Sequence, residues 1–117
     1  MQGETTISDP EQAWQDLVLT MMSRHAGVAR GQMMSADALL CREKVFAFFS
    51  KRGGGVGLGA RVGRDADIDA FGISDWQHLA PFKTKPPMKD WIVIGIRDHA
   101  RWHEIAEFAY RTALERP

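Results

Sequence analysis

Between Val28 and Ala60 the chain breaks into short apolar runs, ADALLC, VFAFFS and GVGLGA, separated by the polar stretches REK and KRGG. That spacing belongs to antiparallel strands joined by tight turns, so a meander of three strands and two hairpins is expected here. Its last turn and strand hold KRGGGVGLGAR, with glycine at Gly53, Gly54, Gly55, Gly57 and Gly59 between basic ends. Gly53 and Gly54 fall where a tight hairpin needs positive φ. In the strand, Val56, Leu58 and Ala60 share one face, and Gly55, Gly57 and Gly59 leave the other as bare backbone. Aromatic rings from the neighbouring VFAFF strand are expected to lie on it.

The same glycines do not make a phosphate cradle. Such a loop needs GxGxxG or GxxxxGK[ST] between a strand and a long helix, and neither pattern occurs.

Helices are expected at both chain ends. Asp9 as N-cap, Pro10 at the first helical position and Gln12 three residues past the cap open the first. Trp14, Leu17, Val18, Met21 and Met22 then form its apolar face, and Gly27 stands past its end. At the other end Asp98 is the expected cap of a helix whose Trp102, Ile105, Ala106, Ala109, Tyr110 and Ala113 hold the same spacing. Between them, Asp65 or Asp67 opens a short helix through Ile68 and Phe71 that Gly72 stops. ISDWQHLAPF carries a strand, KTKPPMKD a loop, and Trp91 to Ile96 a buried strand. The order α-β-β-β-α-β-β-α predicts a two-layer α+β domain, an antiparallel sheet with helices on one face.

At 117 residues, the chain is expected to be one domain over 1–117, with a flexible polar tail at 1–8. Fifteen Lys and Arg balance fifteen Asp and Glu, so an electrostatic partner must read a local patch. The lone Cys41 forms no internal disulfide, and the N-terminus lacks a basic start and apolar run, so a cytoplasmic location is expected. No apolar run approaches the roughly 18 residues of a bilayer span, and no membrane partner is expected.

The succession QMMSADALLCREKVFAFFSKRGGGVGLGARV, a short helix ending in Gly72, PPMKDWIVI and the final WHEIAEFAYRTAL resembles the N-terminal domain of the TfoX (Sxy) competence-regulator family. More distantly it is similar to the YjbR (MmcQ) family. The resemblance runs from about Gly27 onward and rests on pattern and order, with PPMKDW nearest to a motif. It implies a small α+β domain of the order derived above and no catalytic residue. Competence-type TfoX proteins carry a further helical half that this sequence does not include, so competence regulation is not expected. The YjbR group is described as DNA-binding on the strength of its fold, a poor guide to function.

The remaining candidates are weighed residue by residue. His99 and His103 are four apart, a zinc spacing without the Glu of HExxH or a nearby third ligand, and read as solvated. Cys41 has no neighbouring base and reads as a structural cysteine. Asp65, Asp67 and Asp69 alternate like calcium ligands but lack the glycine and distal glutamate of that loop. No metal or cofactor is expected. From Arg42 to Arg64 six basic residues (Arg42, Lys44, Lys51, Arg52, Arg61 and Arg64) stand against Glu43 alone. Lys51, Arg52, Arg61, Lys83, Lys85 and Lys89 are therefore the candidate contacts of a basic edge made of hairpin tips and the proline loop. The leading expectation is a non-enzymatic regulatory or adaptor domain that binds another macromolecule, a protein ahead of nucleic acid, with a homodimer compatible. The alternatives are nucleic-acid binding through that edge and small-ligand binding at the glycine strand.

Overall fold

Two helices packed on one face of an antiparallel sheet make up the architecture, described by a computed structural model for residues 9–33, 35–51, 56–80 and 84–115. The expected turn glycines Gly53 and Gly54, the tail at 1–8, Arg52 and Lys83 lie outside the described residues. The two-layer α+β class expected from the sequence is the one observed.

Helix α1 (Pro10–Arg24) begins as anticipated, with Asp9 accepting from the Glu11 amide at 3.0 Å and Pro10 at the first helical position. Gln12 does not reach back to the cap; its side chain donates to Asp16, 3.1 Å away, one turn on. Trp14, Leu17, Val18 and Met21 are buried, whereas Met22 turns outward. Helix α2 (Trp102–Glu115) buries Trp102, Ile105, Ala106, Ala109 and Ala113. Asp98 does not cap it, because a 3-10 turn over Ile96–Arg101 precedes the helix. Instead its carboxylate accepts from the amides of Ser74 and Asp75 at 3.2 and 2.7 Å, tying down the loop before the fifth strand.

Among the described residues the sheet has six strands: β1 (Val28–Met33), β2 (Ala36–Cys41), β3 (Lys44–Ser50), β4 (Gly57–Arg61), β5 (Trp76–Leu79) and β6 (Met88–Gly95). Their spatial order is β1-β2-β3-β4-β6-β5, antiparallel throughout. The expected order therefore lacked one strand. VARGQM forms β1 on the sheet edge, where Ala29, Arg30 and Gln32 are exposed and no apolar run marks it. The short helix after β4 is a single 3-10 turn (Ile68–Phe71), stopped by Gly72 at φ 75°. β6 also starts earlier than expected, directly after Pro87.

Leu39, Cys41, Phe46, Leu58, Ile92 and Ile94 face the helices and form the main core with Trp14, Leu17, Trp102 and Ile105. Cys41 is buried within it. The opposite face carries a smaller cluster of Ala38, Phe48, Leu79, Trp91 and Val93. Phe48 lies directly across from Gly59 and meets the Trp91 ring edge-on, with centroids 5.6 Å apart. A Cβ on Gly59 would clash with Cδ1, Cε1 and Cζ of the Phe48 ring, as the expectation of an aromatic on bare backbone requires. At Gly57 the neighbour differs from that expectation. It is the Ile94 carbonyl of β6, main chain in place of an aromatic ring.

Candidate functional site

β4 and β5 are separated in the sheet by β6, so the segment from Val62 to Asp75 must cross over β6 on the helix side to reach the β5 edge. The helices pack over β1 to β4, and this crossover, whose Ile68 and Ile73 join the main core, lies beside β5 and β6. A cleft of about 240 Å³ opens between the crossover and these two strands. Its floor is apolar and buried: Val62, Ile68 and Ile92. Trp76 and His78 of β5 form one wall, their rings edge-to-face with centroids 5.3 Å apart. His78 Nδ1 lies 3.4 Å from the Trp91 carbonyl, which turns that ring edge toward the sheet.

Exposed groups of both signs form the rim. Asp67 and Asp69 come from the crossover, Arg64 from its start, and Lys89 from β6. Arg64 and Arg61 both approach Asp90, each at 3.6 Å. Those distances are beyond hydrogen bonding, and exposed pairs of this kind contribute little to stability. The arrangement suits a side chain or small group with an apolar body and a polar end. At this volume it lies below the roughly 300 Å³ from which drug-sized pockets begin.

The basic residues expected to form one edge are divided by the register. Ser50 pairs with Gly57 and Ala47 with Ala60, so Lys51 and Arg61 sit at opposite ends of the β3–β4 hairpin, about 15 Å apart at the usual rise per residue. Lys51 also lies over the Phe49 ring, 5.6 Å from its centroid. Arg61, Lys85 and Lys89 belong to the other end of the sheet, where Asp90 and the crossover aspartates intersperse with them. Of the candidates among the described residues, Lys89 alone borders the cleft. The bare glycine face holds protein: Phe48 at Gly59 and β6 backbone at Gly57.

His99 and His103 do not lie on one continuous helix. His99 belongs to the 3-10 turn, with Nδ1 3.1 Å from the Ile96 carbonyl, and His103 to the first turn of α2. Burial, together with nearby Arg24, holds the His103 imidazole below its ordinary pKa. Among the described residues no three His, Cys, Asp or Glu side chains converge as metal ligands would.

Two further polar clusters tie elements together. Asp37 of β2 accepts from Trp14 Nε1 of α1 at 2.8 Å and from Arg30 of β1 at 2.6 Å. The Arg30 hydrogen bonds, followed by the indole N–H, keep its carboxyl below the usual carboxylate range. At the far end of α1, His25 Nε2 lies 2.8 Å from Glu107 of α2, and its ring stacks on Tyr110 at 4.2 Å.

No described helix is long and apolar enough to cross a membrane. Sequence reasoning missed the cleft, because Trp76, His78 and Asp67 meet only through the crossover and no local motif marks them. Comparison with models of known protein families, with curated proteins and with solved structures yields no match.

Proposed function

We propose that this chain is a non-enzymatic regulatory or adaptor domain that binds another protein, and that the cleft beside β5 is the surface it uses. The observation that carries the reading is the buried apolar floor of Val62, Ile68 and Ile92 beneath a rim of Arg64, Asp67, Asp69 and Lys89. A concave apolar site with a few polar groups around it is the usual form of a recognition pocket, and at this size it takes one side chain of a larger partner. The resemblance of the element order to the TfoX N-terminal domain agrees with a regulatory role, by analogy of fold. Nucleic-acid binding through Lys85 and Lys89 is the weaker reading, because Asp65, Asp67 and Asp69 occupy the neighbouring crossover and would repel a phosphate backbone.

Photo-crosslinking from inside and outside the cleft tests the reading. Benzoylphenylalanine replaces Asp69 in one variant and the exposed Arg111 of α2 in another, and both are irradiated in native lysate. Adducts from position 69 alone, sensitive to protease and indifferent to nuclease, are expected. Equal capture from both positions, or nuclease-sensitive adducts, would contradict it.

A further inference from the structure

The ladder between β5 and β6 fixes which way the β5 backbone points. The Gly95 amide donates to the Asp75 carbonyl at 2.8 Å, and the register continues through Trp76–Ile94, Gln77–Val93 and His78–Ile92. Hydrogen-bonded and non-hydrogen-bonded pairs alternate along an antiparallel ladder. Asp75 and Gln77 therefore turn their backbone groups toward β6, while Trp76 and His78 turn theirs out of the sheet. Among the described residues β5 is an edge strand. The two residues whose backbones face outward are the same two whose side chains wall the cleft.

This juxtaposition points to strand addition. We infer that an extended segment of another protein pairs with the outer edge of β5 through the backbone of Trp76 and His78, and sets one long side chain into the cleft. The inference rests on the binding reading above and deepens it. Peptides that add to a sheet edge draw affinity from main-chain bonds and specificity from pockets for alternate side chains, and both parts lie side by side here. A side chain with an apolar stem and a polar tip fits a floor of Val62, Ile68 and Ile92 beneath a charged rim. A second copy of this chain fits less well. β5 has four residues, and two such strands pairing cover far less than the roughly 1,200 Å² of a stable interface.

His78 provides the test, because its N–H points outward. His78→Pro removes that donor without breaking a rung to β6, a position where edge strands tolerate proline, and His78→Ala keeps the donor while removing the side chain. The probe is a library of random twelve-residue peptides displayed on phage and selected on the immobilised full chain. Both variants lose the imidazole wall of the cleft, so the donor is read from their difference: recovered peptides are expected to bind His78→Pro about tenfold or more weakly than His78→Ala, the effect of one lost main-chain bond with its partner stranded. N-methylating the peptide residue by residue gives an independent readout on the parent protein, and binding should fall at alternate positions.

Peptides sensitive to Asp67→Ala and Asp69→Ala that bind His78→Pro and His78→Ala alike and are indifferent to the position of N-methylation would overturn strand addition and leave the cleft as a binding site. Failure to recover any peptide, or recovery of peptides indifferent to the cleft, would overturn both. A concentration-dependent dimer dispersed by His78→Pro would give the edge to a second copy and overturn the inference.

Discussion

Gly57 and Gly59 show how single residues set the approach distance of neighbouring groups. Both lie in β4, buried, with β6 backbone against one and the Phe48 ring against the other. A carbonyl fixed in the sheet cannot yield as a ring can. Gly57→Ala is expected to destabilise the domain by about 1–3 kcal/mol through overpacking, with Gly59→Ala costing less because its neighbour is a side-chain ring. Urea unfolding of both variants checks the order, and a neutral Gly57→Ala would refute the close approach. The β2–β3 turn carries the opposite kind of feature. Arg42 and Glu43 hold φ of 53° and 68° without being glycine, the left-handed region that a two-residue type I′ hairpin demands. Arg42 also reaches the Leu114 carbonyl at the end of α2, 3.5 Å away. Glu43 makes the simpler test. Glu43→Gly should raise stability by about 0.5 kcal/mol, relief of left-handed strain being partly offset by the freedom glycine adds to the unfolded chain. A lower melting temperature would contradict that account of the turn.

At the scale of elements, Asp37 joins three: β2, which carries it, β1 through Arg30 and α1 through Trp14. Removing it strands a part-buried indole N–H and an arginine, so Asp37→Ala is expected to cost about 1–3 kcal/mol at neutral pH. Because the folded-state carboxyl lies below its ordinary range, held down first by the Arg30 hydrogen bonds, its contribution is complete above the unfolded pKa of roughly 3.9. It is lost as pH falls through the lower folded value. The stability gap between parent and variant should thus be constant from pH 7 to about 5 and close below about 4. Guanidinium melts across that range measure it, and a gap that widens on acidification would reverse the sign.

The elements also differ in how far local sequence announces them. Asp9-Pro10 and the spacing of Trp14, Leu17, Val18 and Met21 mark α1 because capping and burial are local matters. ADALLC and VFAFFS mark their strands because each buries a run. VARGQM does not announce β1, since an edge strand with exposed Ala29, Arg30 and Gln32 shows no such run. Asp98 reads as a cap in sequence, and its use as a tether for Ser74 and Asp75 depends on a loop 23 residues away.

For the whole molecule, the decisive feature is the strand order, in which β6 inserts between β4 and β5 and forces residues 62–75 across the sheet. That crossover builds the cleft, and the same register divides Lys51 from Arg61. Neither result has a local signature, so the basic edge looked continuous in sequence and the cleft was invisible. The central claim is that the cleft and the β5 edge form the binding surface. Amide hydrogen exchange of the full chain, alone and with a protein captured by crosslinking, tests it most directly. The account predicts added protection at Trp76 and His78 and in the crossover around Asp67 to Asp69, with α1 and the Lys51 end of the sheet unchanged. Protection centred on Lys51, or on exposed Leu19 and Met22 of α1, with β5 unaffected, would contradict it.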